Sequence, residues 1–153
     1  MEQIMKLFVE ATMETFTTMV GLTPDAGEIE DVGHIITPSE ICANISLSGD
    51  NAQGATTITF AREVAIKVVE GFMGEGMADS DEDLYDALGE IVNIIGGAAK
   101  AKLSEMQLKL SLPSVTGGNN YFLSLPKDLP IKKVKFTLED LGEMNLIVYM
   151  KHT

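Results

Sequence analysis

Ile41-Cys42-Ala43-Asn44-Ile45-Ser46-Leu47-Ser48 alternates apolar and polar residues without a break. A period of two marks a strand with one buried face. Gly49 to Gly54 is a turn directly after it. Ala55 to Ala61, rich in Thr and β-branched residues, reads as the second arm of a hairpin. The spacing then turns helical over Arg62 to Phe72, where Val64, Ala65, Val68, Val69 and Phe72 share a side. Short turns between successive strands predict a largely antiparallel sheet, and helices beside it make the class α+β.

Upstream of this hairpin, residues 3–20 carry a helical stripe of Ile4, Met5, Phe8, Ala11, Phe16 and Met19, with Thr12 as its polar member and Gly21 as the stop. Residues 22–38 hold Pro24, Asp25, Gly27, Gly33 and Pro38, and are read as a loop with a short extended piece. Downstream, Gly71 to Asp79 reads as a loop, and Ser80 with Asp83 has the spacing of a capping box. The longest helix should run from Asp81 to Ser104, its acidic first turn matching the positive end of the helix dipole. Gln107 to Leu112 reads as a strand ending at Pro113, Gly117 to Asn120 as a turn, and Tyr121 to Leu125 as extended. Two strands close the chain, Ile131 to Thr137 and Met144 to Lys151, around a turn at Leu138 to Glu143. The whole predicts one domain over residues 1–153: a mostly antiparallel sheet packed with long helices, in which a helix leading into a strand pair occurs twice as an internal pseudo-repeat.

Composition narrows the function. The chain has 153 residues, 45% hydrophobic and 22% charged, which suits a folded globular domain. Eleven Lys and Arg against 23 Asp and Glu leave a net charge of −12, and an acidic surface repels nucleic acid and anionic membranes. Cys42 is the only cysteine, so an internal disulfide framework and a Cys-rich zinc site are excluded. Met1-Glu2-Gln3 lacks the basic start of a secretory signal, and a cytoplasmic location is expected. The longest mostly apolar run, Ile91 to Ala99, is too short to span a bilayer.

The chemistry is concentrated in Asp86-Ala87-Leu88-Gly89-Glu90-Ile91-Val92-Asn93-Ile94-Ile95-Gly96-Gly97. On a helix at about 100° per residue, Leu84, Leu88, Ile91, Val92, Ile95 and Ala99 fall in one arc and form a core stripe. Asp86, Glu90, Asn93 and Gly97 fall on the opposite side. Such a stripe is commonly a plain solvated face. Against that, an Asn and two glycines mid-helix cost roughly 2 kcal/mol relative to alanines, and sequences accept such conflicts where a site needs them. Glycine there also lets another backbone approach closely.

This segment resembles the signature of the CheC/CheX phosphatases of bacterial chemotaxis and two-component signalling. The signature is a Glu and an Asn three apart, with an acidic or hydroxyl residue four before the Glu and a small residue four after the Asn. Glu90, Asn93, Asp86 and Gly97 fill those places. Glu63 to Val69, ending near Met73-Gly74, resembles the family's preceding helix, and Leu112-Pro113-Ser114-Val115 with Gly117 resembles the segment after the signature helix. CheC-type members carry the pair on two helices. Here Glu10 is paired at a spacing of three with Met13, and Glu14 with Thr17, so the chain is similar to the single-site CheX type. Ile95 stands where a small polar residue is expected, two places after Asn93.

The resemblance implies an enzyme that hydrolyses the aspartyl phosphate of a CheY-like response regulator. Asn93 would position the water and Glu90 would pair with the regulator's lysine, with Asp86 and Gly97 in supporting contact with the partner. It implies no cofactor and no metal site of the chain's own, since Mg²⁺ arrives with the phosphorylated regulator. It also implies a homodimer joined through sheet edges, for which Ile147, Val148 and Tyr149 of the terminal strands are candidates. The alternatives are a regulator-binding module without hydrolysis, and a plain dimerisation domain.

Other signals carry less. Gly96 to Lys100 lacks the spacing of a phosphate loop and sits inside a helix. His34 and His152 have no partner at ligand spacing, and Asp79 to Asp83 lacks the glycine and closing glutamate of a calcium loop. Cys42 has no activating neighbour in sequence and reads as a packed thiol.

Overall fold

The computed structural model describes residues 1–36, 40–119 and 121–152. Pro38 and Asn120, expected as loop and turn residues, lie outside the described residues. The helices are α1 (Glu2–Thr15), α2 (Arg62–Met73) and α3 (Asp81–Lys102). The strands are β1 (Asp25–Val32), β2 (Ile35–Ile36), β3 (Ile41–Ser48), β4 (Ala52–Phe60), β5 (Lys109–Leu110), β6 (Ser114–Gly117), β7 (Leu123–Ser124), β8 (Ile131–Leu138) and β9 (Gly142–His152). The main sheet runs β1-β8-β9-β4-β3-β5, with β6 also paired to β3, and every pairing is antiparallel. The class is α+β, as the hairpin spacing predicts. None of the described helices is long and apolar enough to cross a membrane.

The strand order carries the pseudo-repeat. The first half supplies α1, β1, β2, β3 and β4; the second supplies α3, β5 with β6, β7, β8 and β9. Exchanging the halves turns the order β1-β8-β9-β4-β3-β6 into its own reverse. The small β2-β7 pair maps onto itself. Each half therefore places its first strand on the other half's hairpin: β1 pairs with β8, and β6 with β3.

One face of the sheet is the core. Ile41, Ala43, Ile45 and Leu47 of β3 lie beside Phe60, Ile58, Thr56 and Gly54 of β4, and the row continues through Met144, Leu146, Val148 and Met150 of β9. These apolar side chains are buried under the helices. The opposite face is more polar and only partly covered, with Ser46, Ser48 and Gln53 exposed. Thr57, Thr59 and Cys42 are buried there, and the Tyr121 hydroxyl donates toward the Cys42 sulfur at 3.4 Å.

The first helix departs from its sequence reading at one point. Its last turn, Phe16–Val20, is a π-turn closed by Gly21 in the left-handed region (φ 81°). A π-turn inserts an extra residue and rotates the side chains beyond it around the helix axis. Val20 is thereby buried, while Met19, expected in the core stripe, is 46% exposed. Thr12 and Thr15 are buried because their hydroxyls donate to the carbonyls of Phe8 and Ala11, both at 2.8 Å.

Several readings of the sheet are corrected: the strand expected over Gln107 to Leu112 shrinks to Lys109–Leu110, and Ala52 to Gly54, expected in the turn, already belong to β4. Residues 25–32, expected to be mostly loop, form a full edge strand against β8. β9, holding Ile147, Val148 and Tyr149, is not an edge: it is paired along its length to β4 on one side and β8 on the other. Those residues have no free backbone to offer a second subunit. The outer edges are β1 at one end and β5 with β6 at the other.

Candidate functional site

The α3 segment is fixed at its start by Ser80, whose hydroxyl accepts from the Asp83 backbone N–H at 3.1 Å. Asp81, Glu82 and Asp83 fill the first turn, and Lys100 and Lys102 the last, so both ends complement the helix dipole. Arg62, at the start of α2, forms an ion pair with Asp81 and ties the two helix starts together. Glu40 accepts from the Arg62 backbone N–H at 3.1 Å, capping α2 from beside the start of β3.

The two faces of α3 separate as the spacing predicts. Leu84, Leu88, Ile91, Val92, Ile95 and Ala99 are buried against the sheet and α1. Asp86, Glu90 and Asn93 are exposed. Ile95, which stands at the position expected to be small and polar, is fully buried and does not reach this face.

The glycines divide by role. A Cβ on Gly96 would lie 3.2 Å from the Ile45 Cγ2, so this glycine lets α3 sit close on β3. A Cβ on Gly97 would meet nothing within 4 Å. Internal packing gives no reason for Gly97 to lack a side chain, although glycine costs a helix interior about 1 kcal/mol relative to alanine.

Asp86, Glu90 and Asn93 line one side of an open groove of about 370 Å³. Tyr85 and Gly89 form its floor, and Leu112, Pro113 and Val115 its far wall. That wall is the interruption between β5 and β6. Proline cannot donate to a strand ladder, so the edge strand breaks at Pro113 and resumes at Ser114. Ser111 bridges the break: its backbone N–H donates to the Ser46 carbonyl at 2.9 Å, its hydroxyl accepts from the Ser46 N–H at 3.0 Å, and the same hydroxyl donates to the Leu112 carbonyl at 2.9 Å. Past Asn93 a second depression, of about 450 Å³, runs between Gly97 and Lys100 on the helix and Leu108 and Leu110 opposite.

Neither Glu90 nor Asp86 has an ion-pair partner among the described residues. Two acids of α1 are placed differently. Glu10 and Glu14 both face Lys102, at 3.6 and 2.9 Å, and the Glu14 contact, with Glu10 adding to it, holds the ammonium above its usual range. The arrangement on α3 can therefore do two things chemically. It presents a free carboxylate to a cation from outside, and one turn on it presents an amide able to donate and accept at once. Leu112 escaped the sequence reading as a wall of this groove. The Pro after it signals an interruption and the Leu112-Pro113-Ser114-Val115 run resembles the family's segment, but nothing local tells which helix the break faces.

Comparison with known proteins identifies the family. The profile of the family "Chemotaxis phosphatase CheX" matches residues 41–137, more than half of the chain. No curated protein sequence matches it. The chemotaxis protein CheX of Desulfovibrio desulfuricans is 30% identical, with a TM-score of 0.86 over 97% of this chain and 99% of its own. A chemotaxis protein of Desulfovibrio vulgaris Hildenborough is also 30% identical, with a TM-score of 0.87 over 97% of each chain. CheX of Borrelia burgdorferi, solved in complex with CheY, BeF3 and Mg²⁺, shares the fold at 18% identity, with a TM-score of 0.78 over 97% of each chain. The chain therefore belongs to the CheX family of chemotaxis phosphatases.

Proposed function

We propose that this chain is a phosphatase acting on the aspartyl phosphate of a CheY-like response regulator. The observation that carries the reading is the outward pair on α3. Asn93 and Glu90 stand one helical turn apart, both exposed, on a groove that none of the described residues fills. The complex of Borrelia CheX with CheY supports the class of partner.

In this reading the substrate brings its own phosphoryl group, Mg²⁺ and a lysine. Glu90 pairs with that lysine and sets how deeply α3 enters. Docking removes water from the pair, which strengthens it beyond an ordinary surface salt bridge. Asn93 then accepts a hydrogen bond from a water through its carbonyl and holds it in line with phosphorus. The water oxygen bonds to phosphorus as the bond to the aspartate oxygen breaks. The carboxylate leaves with the electron pair, and the water proton passes to the released phosphate. Phosphoryl transfer of this kind is governed mostly by positioning and charge stabilisation, so an amide suffices where no strong base is present. Asp86 extends the acidic rim, and Gly97 clears space one turn beyond the amide. We also propose homodimerisation through a sheet edge, with β1 or the β5 and β6 side as the strand available.

The test is phosphate release from regulators loaded with a small phosphodonor. Wild type should accelerate it. Asn93→Ala should lose about 100-fold or more of that acceleration with binding largely kept, a size typical of removing one preorganised polar group. Glu90→Ala should weaken both. Equal hydrolysis by all three proteins overturns the proposal, and binding without hydrolysis by wild type selects the non-catalytic module instead.

A further inference from the structure

We infer that Leu112 is a specificity-determining contact for the regulator, receiving an apolar side chain at the rim of the partner's phosphorylation site. The inference rests on the function proposed for α3 and adds a residue that the Glu/Asn signature does not contain. Leu112 is 90% exposed, the most open of the large hydrophobic side chains described. An isolated exposed leucine needs no explanation, but this one is placed. It stands on the wall of the same groove that Glu90 and Asn93 line from the helix side. Its backbone is fixed, not loose: Ser111 holds the Leu112 carbonyl and both backbone groups of Ser46. The next residue, Pro113, sits where a Cβ on Gly89 would make ordinary contact at 3.5 Å, so the wall is seated on the helix.

A partner whose lysine reaches Glu90 and whose phosphoryl group reaches Asn93 must also cover the opposite wall. The chemistry offered there is apolar: Leu112, Pro113 and Val115. A charged or strongly polar partner residue at that point would lose water without a hydrogen bond in return, which discriminates against it. The acidic side of the groove selects for the lysine that regulators share. The apolar side separates one regulator from another.

The experiment compares wild type, Leu112→Ala and Leu112→Gln on the regulator that wild type dephosphorylates fastest, with Asn93→Ala as the control for chemistry. Affinity is read by titration with that regulator loaded with beryllofluoride, and kcat is read at saturating phosphorylated regulator. Both Leu112 variants change an exposed side chain and should melt within a degree or two of wild type. Leu112→Ala should raise Kd and KM about 10-fold with kcat within twofold, and Leu112→Gln should raise them at least as much. Unchanged affinity in both variants overturns the inference, as does a fall in kcat at unchanged KM. If wild type binds the loaded regulator without hydrolysing it, the catalytic reading fails while the binding arm still decides Leu112. If wild type binds no regulator, both fall together.

Discussion

Gly97→Ala should make the protein more stable and a poorer partner for its substrate. The helix places residue 97 in ordinary α conformation, and an added Cβ there meets nothing within 4 Å. The substitution therefore gains the helix-propensity difference, about 0.8–1 kcal/mol, without a packing cost. For a chain of this size that corresponds to a rise in Tm of about 2–4 °C. The neighbouring Gly96→Ala starts from the same propensity gain, but its methyl would press on Ile45 at 3.2 Å and approach the Leu110 side chain at 3.5 Å. Overpacking of this kind costs about 1–3 kcal/mol, so Gly96→Ala should gain nothing or lose stability. Urea denaturation monitored by helix circular dichroism should separate the two variants by at least about 1 kcal/mol. Titration with a beryllofluoride-loaded regulator should then show Gly97→Ala binding several-fold more weakly despite its greater stability. A Gly97→Ala protein that is stabilised and binds as wild type would refute the assignment of Gly97 to the docking face. One that is destabilised would refute the geometry itself.

Two other perturbations act on stability alone. Ser80→Ala removes the cap that accepts from Asp83, and should cost about 1 kcal/mol of stability in the same denaturation assay, with Ser80→Asp largely restoring it. Burial pushes the Cys42 thiol and the Tyr149 phenol above their usual ranges. Both hold their protons more tightly when folded, so above the ordinary thiol value of 9.0 the unfolded chain binds fewer protons and stability falls as pH rises. The urea midpoint should therefore decline between about pH 8 and pH 10, and Cys42→Ala should shallow that decline; an identical slope in the variant would exclude Cys42 as a source.

The parts of this fold that sequence reveals are those decided by neighbours a few residues away. The two faces of α3 separate because six apolar residues recur at helical spacing against a core, and the polar residues opposite have nowhere to go but outward. The Ser80 cap, the β3–β4 hairpin and the β8–β9 hairpin are legible for the same reason. β1 was hidden because its apolar alternation is missing. As an edge strand it is held by its ladder to β8 and by Glu30 and Asp31 facing Lys133 and Lys132, and charge on an edge is how proteins keep such strands from pairing elsewhere. The central place of β9 depends on partners roughly 90 residues away in sequence, which no local pattern records. Met19 was misplaced by the π-turn, whose extra residue leaves no mark in composition. In the site, Glu90 and Asn93 were legible as a pair on a helix. Leu112 was not, because its meaning comes from the helix it faces across the sheet edge.

The crossed placement of β1 and β6 means that neither half of the chain could close its own sheet in isolation. Cut at the connection between α2 and α3, the first fragment would leave the flank of β3 bare, and the second the flank of β8. Two identical half-length polypeptides trading that strand would build the same reversed order about a true dyad. The present chain thus has the architecture of an intertwined pair fused end to end. The two halves differ at their helices: α3 presents an amide outward, while Glu10 and Glu14 of α1 hold Lys102.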